Sequence, residues 1–330
     1  MTHNQDHRAE AARQWACSTL GVSDAGWAPA SADASFRRYF RLQSARGSAI
    51  VMDAPPAQED CGPFLAVAAR LQAAGLSVPP VLGQDLDRGF LLLGDLGTHT
   101  WLQGMPRAPE AALAWFATAT AALVQAQRHI DPAGLPAYDA GLLTRELQLF
   151  PDWFVGRHLG RRFTAAESAL WDTVCERLLA NALAQPRVFV HRDFMPRNLM
   201  VSDPNPGILD FQDAVCGPIS YDVISLFKDA FLSWPQTLVD QGLAVYWRQA
   251  RAAGLPVAAA LHDFVLQAER MGTQRHLKVL GIFARIRYRD GKPAYLDDAP
   301  RFIAYLRARA AVDAQMAPLG ALLDQLGLAP

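Results

Sequence analysis

Residues 188–201, VFVHRDFMPRNLMV, and residues 208–213, ILDFQD, decide how the rest of this 330-residue chain is interpreted. The first segment contains two short apolar runs, at 188–190 and 199–201, and a third lies at 207–209, with polar, proline-bearing turns between them. Short apolar runs bounded by turn residues predict strands. We therefore expect a small sheet here, with Asp193 and Asn198 on a connecting loop and Asp210 at the end of a later strand.

The polar residues of this loop suit phosphoryl transfer. That reaction needs the attacking hydroxyl aimed at the γ-phosphate and the triphosphate charge neutralised. A carboxylate can accept the proton of the hydroxyl, which is the role we expect for Asp193. Amide and carboxylate oxygens bind Mg²⁺, which is what we expect of Asn198 and Asp210. Each residue alone could simply cap a turn, but together, in this order between strands, they favour a catalytic loop that uses ATP and Mg²⁺.

The apolar pattern divides the chain into two parts. Strands are predicted at 36–42, 49–52, 78–81 and 90–93. Helices are predicted at 11–20, 64–71, 109–127, 141–154, 165–184 and 261–271. This order predicts an α+β fold, with a β-rich domain at residues 1–95 and a mainly helical domain at residues 96–330 that contains the small sheet.

The motif at residues 191–198 is H-R-D-x-x-x-x-N, and it resembles the catalytic loop of protein kinases. It looks most like that of the aminoglycoside phosphotransferase and choline kinase superfamily, as does the stretch CGPISYD at 216–222. The resemblance implies a bilobal, protein-kinase-like fold with a small antiparallel β-rich N-lobe and a larger, mainly helical C-lobe. It also implies that Asp222 supports the catalytic loop by accepting hydrogen bonds from its backbone or from Arg192.

Further stretches resemble the bacterial anomeric kinases for N-acetylmuramate and N-acetylglucosamine. They are SFRRYFR at 35–41, VMDAPP at 51–56, FLLLGDLG at 90–97, RELQLF at 145–150 and RHLKVLGIFAR at 275–285. The resemblance covers about residues 30–310. It implies transfer of the ATP γ-phosphate to the C1 hydroxyl of one or both amino sugars, in cell-wall sugar recycling.

The phosphate-binding part departs from the kinase pattern. Neither a G-x-G-x-x-G motif nor a P-loop is present, and Met52 stands where the resemblance puts the phosphate-binding lysine. We expect the turn around Ser35 to cover the phosphates, and Arg37 or Arg38 to supply the missing charge. The alternative is that both arginines are solvated hairpin charges. Main-chain groups of Leu93 to Asp95 are expected to pair with the adenine.

Four residues are candidates for the acceptor site, since a sugar needs polar partners for its hydroxyls and often an aromatic face for its ring. Glu146 and Trp153 are seven residues apart, so on one helix they would share a face, the first accepting from a hydroxyl and the second stacking. Asp213 is a second hydroxyl partner, and Arg275 could pair with the carboxylate of N-acetylmuramate. The alternatives are an exposed glutamate, a core tryptophan and a solvated arginine.

Composition and charge limit the other partners. The net charge of −1 gives no reason to expect nucleic acid or an anionic membrane as a partner. We find no apolar run long enough to span a membrane and no apolar signal-peptide segment, so a cytoplasmic protein is expected. The four cysteines are scattered and predict neither a zinc site nor a disulfide framework. A monomer or weak dimer is expected, with ATP and a small sugar as its partners.

Two other functions are compatible with the sequence. One is a kinase for another hydroxylated small molecule, such as an aminoglycoside, choline or homoserine. The basic segment 270–292 favours a neutral or anionic acceptor over a cationic one. The other is a nucleotide-binding pseudokinase, which Met52 alone supports and which the presence of Asp193, Asn198 and Asp210 argues against.

Overall fold

The structure, a computed structural model, describes residues 2–23, 25–32 and 36–328. The chain forms two compact units. The first unit comprises Met1–Met105 and Pro196–Asp213, and the second comprises Pro106–Met195 and Ala214–Pro330.

The secondary structure of the described residues follows the predicted order, with strands first and helices later. The strands are β1 (Gly26–Ala32), β2 (Arg38–Ser44), β3 (Gly47–Asp53), β4 (Val81–Asp85), β5 (Phe90–Gly94), β6 (Arg187–Val190), β7 (Leu199–Met200), β8 (Gly207–Ile208) and β9 (Val215–Pro218). The α-helices are α1 (Thr2–Leu20), α2 (Gly62–Ala73), α3 (Trp101–Gly104), α4 (Pro109–His129), α5 (Ala140–Leu147), α6 (Ala165–Leu183), α7 (Tyr221–Phe227), α8 (Gln236–Ala252), α9 (Leu261–Asp290), α10 (Ala299–Val312) and α11 (Ala317–Gln325). Short 3-10 helices lie at Pro196–Asn198, Pro293–Asp298 and Ala314–Met316, and a π-helix lies at Phe150–His158.

The first unit is built on a five-stranded antiparallel sheet in the order β1-β2-β3-β5-β4. Because side chains alternate across a strand, each face of the sheet carries its own set of residues. The apolar face packs against α1, in a cluster that includes Ala12, Ala16, Leu42, Ala49, Val51, Phe90 and Leu92. Tyr39, Arg41 and Ile50 alternate with these residues, so the opposite face is the one available to a ligand.

Helix α2 confirms the periodicity read from the sequence. Its buried residues are Phe64, Val67, Ala68 and Leu71, the four apolar residues at helical spacing. The chain leaves the helix at Gly75, which has φ +75° and donates to the carbonyl of Gln72. Glycine suits this position because the left-handed conformation strains residues that carry a Cβ atom.

Strand β4 begins later than predicted. The apolar run at 78–81 indicated a strand there, but the strand spans Val81–Asp85, where Val81 pairs with Leu93. Two consecutive prolines, Pro79 and Pro80, explain the difference, since proline has no N–H to donate to a neighbouring strand. Pro80 still contributes its carbonyl, which accepts from the N–H of Gly94 over 2.8 Å.

The second unit is mainly helical, and one of its apolar clusters joins α6, α9, α10, α11 and the π-helix. A single helix at 141–154 was predicted, but the α-helix changes to a π-helix within this range. Helix α5 ends at Leu147, and the chain continues from Phe150 as a π-helix. Pro151, which cannot donate a backbone hydrogen bond, lies at the start of the π-helix and disfavours continuation of the α-helix.

Helix α9 passes very close to the junction between α5 and the π-helix. A Cβ atom built at Gly281 would lie 2.4 Å from the carbonyl carbon and oxygen of Leu149. Only glycine allows this separation without movement of the backbone. The chain therefore brings residues 274–281 of α9 alongside residues 146–149.

The predicted small sheet around residues 188–213 is present as two separate pairs of strands. β6 pairs with β9 in the second unit, and β7 pairs with β8 in the first. β9 was not predicted, because its four residues include Gly217 and Pro218, which weaken a strand pattern.

The predicted α+β class, with a small antiparallel sheet before a mainly helical part, is confirmed. In the described part of the chain, no helix has both the length and the apolar composition required to cross a membrane.

Candidate active site

A pocket of about 280 Å³ lies within the first unit. Its walls come from the ligand-facing side of the sheet, the segment after β5, α2 and the β7–β8 hairpin. Four predicted site residues line it: Leu93, Asp95, Asn198 and Asp210. The segment after β5 and the part of the motif that carries Asn198 and Asp210 therefore line one concave site.

The β7–β8 hairpin brings Asn198 and Asp210 together. The N–H of Leu209 donates to the carbonyl of Asn198 over 2.9 Å, which ties the two ends of the hairpin. Asn198 Nδ2 donates to Asp210 Oδ2 over 3.2 Å, and Gln212 Nε2 donates to Asp210 Oδ1 over 2.7 Å. Asp210 has φ +62°, a left-handed conformation that is uncommon for residues other than glycine and is enriched at functional sites.

The oxygen atoms that Asn198 and Asp210 can offer suit Mg²⁺. This ion takes oxygen ligands and usually combines one or two carboxylates with substrate phosphates and water. Asp210 provides an exposed carboxylate, and rotation of the Asn198 amide would present its oxygen in place of Nδ2. Among the residues that the structure describes, no group of three or more His, Cys, Asp and Glu side chains could hold a metal. Asn198 and Asp210 can therefore offer two oxygens to a cation, and Mg²⁺ usually takes its other ligands from water or phosphates.

The segment after β5 is held by the carboxylate of Asp95. Its Oδ2 accepts from Arg41 Nε over 2.6 Å and also from the Ser48 hydroxyl, and its Oδ1 accepts from the N–H of Gly97 over 2.9 Å. Burial opposes ionisation of Asp95, but the hydrogen bonds from Arg41 and Ser48 outweigh it and lower the pKa of the carboxyl. The side chain thus has a structural task, and the pairing of main-chain groups of Leu93 to Asp95 with adenine stays a prediction.

Arg37 and Arg38 form ion pairs and do not line the pocket. Arg37 Nη2 lies 2.9 Å from Glu59 Oε2. Arg38 Nε donates over 3.0 Å to Asp53 Oδ2, and this fully buried carboxylate also binds Arg8 of α1. The structure therefore does not bring these two predicted phosphate ligands to the site.

Arg41 and Arg197 are the cations among the described lining residues. Arg41 is bound by Asp95. Arg197 is exposed and directly precedes Asn198 in the motif. Met52 is fully buried in β3, so nothing on that strand supplies the charge of a lysine. Ser35, predicted to cover the phosphates, lies outside the described residues.

In the second unit, the turn after β6 carries Asp193, whose side chain is partly exposed. The fully buried Asp222, in the first turn of α7, accepts from the N–H groups of His191 over 2.6 Å and Arg192 over 2.9 Å. The predicted supporting role of Asp222 is therefore confirmed. Burial raises the pKa of Asp222 to about 7, while the two backbone hydrogen bonds favour its ionised form.

Glu146 is the centre of a buried polar cluster in the second unit and is only 5% exposed. Its Oε1 accepts from Arg192 Nη2 over 2.8 Å and Lys278 Nζ over 2.7 Å. Its Oε2 accepts from Gln274 Nε2 over 3.1 Å and from the Tyr138 hydroxyl. Burial opposes ionisation of Glu146, but the charges of Lys278 and Arg192 outweigh it and lower its pKa to about 2.

The other acceptor candidates lie in different surroundings. Arg275 is buried and donates to the Tyr221 hydroxyl over 2.9 Å, so it is not a solvated helix residue. Trp153 belongs to the π-helix and packs partly buried against the apolar cluster. Because Trp153 lies in the π-helix and not in α5, α-helical spacing does not relate it to Glu146, and their shared sugar site stays a prediction. Asp213 is exposed and ends the first unit.

Sequence reasoning missed three residues of the two clusters. Lys278 lies three residues after Arg275 on α9, so helical spacing alone could have placed the two on one face. Gln212 lies two residues from Asp210 and could have been examined as its neighbour. Tyr138 carries no local signal, since it precedes α5 in a loop.

Comparison with known proteins agrees with this geometry. A family model described as the phosphotransferase enzyme family matches residues 26–262. The chain is 55% identical over 299 residues to a protein of Pseudomonas aeruginosa named N-acetylmuramate/N-acetylglucosamine kinase, covering 90% of this chain and 88% of that one. A protein of the same name from Neisseria meningitidis is 48% identical over 300 residues, covering 90% and 89%.

A solved structure shares the fold at much lower sequence identity. The ADP-bound aminoglycoside phosphotransferase APH(2'')-Ib superposes with a TM-score of 0.58 at 13% identity, covering 89% of this chain and 97% of that one. The predicted protein-kinase-like fold is confirmed by this likeness. Together with the family match, which extends over more than half of the residues, it shows that the chain belongs to the phosphotransferase enzyme family.

Proposed function

We propose that this protein is an ATP- and Mg²⁺-dependent kinase that phosphorylates the C1 hydroxyl of N-acetylmuramate, N-acetylglucosamine or both. The observation that carries the proposal is the pocket of the first unit, where Asn198 and Asp210 meet the segment after β5. Relatives named N-acetylmuramate/N-acetylglucosamine kinase match the chain at 48% and 55% identity along nearly its whole length, and the choice of the C1 hydroxyl is part of the proposal. We propose the cytoplasm as its compartment, because the reaction consumes ATP.

Residues 1–95 are proposed to form the nucleotide-binding lobe, and residues 96–330 to supply the catalytic loop and the acceptor site. Adenine would pair with main-chain groups of Leu93 to Asp95. Asn198 and Asp210 would hold Mg²⁺, which when bound neutralises charge on the phosphates. Since Met52 carries no charge, we assign to Arg197, the exposed cation beside Asn198, the contact with the phosphates that a lysine on β3 would otherwise make.

Asp193 is proposed as the group that accepts the proton of the acceptor hydroxyl. As the C1 oxygen forms its bond to the γ-phosphorus, the bond from that phosphorus to the ADP oxygen breaks, and the hydroxyl proton passes to the Asp193 carboxylate. The products are a sugar 1-phosphate and ADP. Asp222 contributes by binding the backbone N–H groups immediately before Asp193.

The acceptor side is proposed to include Asp213 as a partner for a sugar hydroxyl and Trp153 as an aromatic surface. A sugar contact of Glu146 stays a prediction, and its four protein donors make it the residue most in need of a separate test. Arg275 remains the proposed cation for a substrate carboxylate, although its guanidinium already binds Tyr221.

The test is ADP release from ATP and Mg²⁺ with a panel of acceptors: N-acetylmuramate, N-acetylglucosamine, glucose, choline and kanamycin. We expect turnover with the two N-acetyl sugars. Asp193→Asn should lower kcat by about 100-fold or more, because removal of a positioned general base typically costs at least that factor. Binding of ATP should be retained in the variant.

Two results would contradict the proposal. Turnover confined to choline or kanamycin would retain the kinase chemistry and reject the sugar assignment. ATP binding without turnover of any acceptor would indicate a pseudokinase, with the loss of the lysine at Met52 as its cause.

A further inference from the structure

Arg192, the residue immediately before Asp193, has its backbone and its side chain bound by three different elements. Its N–H donates to Asp222 of α7 over 2.9 Å, and its carbonyl accepts from Arg275 of α9 over 3.2 Å. Its guanidinium donates to Glu146 of α5 over 2.8 Å. A residue held at all these points has little freedom to turn, and neither has the residue that follows it.

The backbone of Arg192 needs such restraint. Its φ is +76°, in the left-handed region that residues with a Cβ atom adopt only at a cost of about 1–3 kcal/mol when the surroundings enforce it. Without the restraint, Arg192 would relax towards a negative φ, and the direction of the Asp193 side chain would change with it. The three contacts of Arg192 therefore hold its backbone in the left-handed conformation.

Glu146 is suited to enforcing this conformation. Each of its two carboxylate oxygens already accepts two hydrogen bonds from the protein, and the residue is 5% exposed. A carboxylate offers about four lone-pair sites, so its accepting capacity is used within the protein. Lys278 and Gln274, both on α9, also donate to the carboxylate, which makes it a rigid anchor for Arg192.

We propose that Glu146 is a positioning residue, which orients Asp193 through its ion pair with Arg192. This inference rests on the proposed function, in which Asp193 activates the acceptor hydroxyl. It differs from the sugar contact predicted from the sequence, because Glu146 acts here without touching the substrate.

The first test is steady-state kinetics of Glu146→Gln, which keeps the size of the side chain and removes its charge. We expect kcat to fall about 10- to 100-fold, since small errors in positioning reach that size, with little change in KM for ATP or for the sugar. Glu176→Gln on the exposed surface of α6 is the matched control and should behave as the wild type. A raised KM for the sugar with kcat preserved would overturn the proposal and favour direct contact.

A double-mutant cycle gives a sharper test of the route through Arg192. If Glu146 acts only through Arg192, Glu146→Gln should cost no more than about twofold in kcat in an Arg192→Met background, because the two residues then act as one unit. If Glu146→Gln lowered kcat by the same factor in the Arg192→Met background as in the wild type, the proposal would be overturned.

Amide hydrogen exchange separates this inference from the proposed function, because it requires no acceptor. In Glu146→Gln, residues 191–193 should exchange faster than in the wild type and in Glu176→Gln, while the core of α9 stays protected. Unchanged exchange of the loop would reject the positioning role. Absence of sugar turnover in the wild type would instead reject the proposed function and leave this readout intact.

Discussion

Replacing Gly281 with alanine should destabilise the second unit, although alanine is the better helix former. In the middle of a helix, Gly→Ala stabilises by about 1 kcal/mol on propensity alone. At Gly281 the new Cβ atom would lie 2.4 Å from the carbonyl carbon and oxygen of Leu149, about 1 Å closer than an ordinary contact. Both neighbours are backbone atoms, so α9 or the α5–π-helix junction must shift as a whole.

The magnitude follows from the balance of these two effects. Overpacking a well-packed core typically costs about 1–3 kcal/mol, and a clash with backbone lies at or above the upper end of that range. After the gain in propensity, we expect a net loss of about 2 kcal/mol in the free energy of unfolding. The shift would also move Leu149 away from α9, and with it the neighbouring Glu146. Activity should therefore fall together with stability.

Urea unfolding followed by far-UV circular dichroism measures the effect as a lower midpoint at an unchanged slope. Gly320→Ala in α11 is the matched control, since its Cβ atom would lie 3.3 Å from a side-chain methyl group of Ala310. We expect that variant to be neutral or slightly stabilised. Equal stability of Gly281→Ala and the wild type would refute the claim that α9 packs directly on the backbone at Leu149.

Two further predictions concern charges. Arg197→Ala should raise KM for ATP about tenfold, which is equivalent to about 1.4 kcal/mol of binding free energy. The control variant Arg145→Ala, on the exposed side of α5, should leave this KM unchanged. An unchanged KM for ATP in Arg197→Ala would exclude Arg197 as a phosphate ligand. Glu146, whose pKa falls from 4.5 to about 2 on folding, should contribute on the order of 3 kcal/mol of stability above pH 4.5, and this contribution is lost as the pH falls towards 2. The difference in unfolding free energy between the wild type and Glu146→Gln should therefore shrink as the pH falls from about 5 towards 2. A constant difference would show that the carboxylate is not held ionised by its neighbours.

The parts of the fold that were predictable from the sequence are those that short-range periodicity determines. The β2–β3 hairpin closes between Ser44 and Gly47, in the gap between the strands predicted at 36–42 and 49–52, and α2 buries the four apolar residues at helical spacing. The hairpin that joins Asn198 and Asp210 was predictable for the same reason, because it is local and its polar residues stand at its ends. Local backbone chemistry explains the two misplaced elements, since prolines displaced β4 and ended the regular helix after α5.

The surroundings of Glu146 were not predictable in this way, because its cations come from Lys278, 132 residues further along the chain, and from Arg192, 46 residues along. Basic residues on a helix are usually solvated, so Arg275 had a surface charge as its alternative interpretation, and Lys278 was not singled out at all. The burial of the Glu146 carboxylate changes this, because basic residues that pair with it are buried as well. A buried, ionised glutamate is too costly to leave unpaired, and it must draw cations and hydrogen-bond donors from whichever elements pack around it. The informative signal is therefore not any one residue but the pairing of an acidic residue on an otherwise apolar helix face with a basic face on a distant helix. That pairing, rather than proximity to a sugar, is the physical reason we assign Glu146 to the support of the catalytic loop.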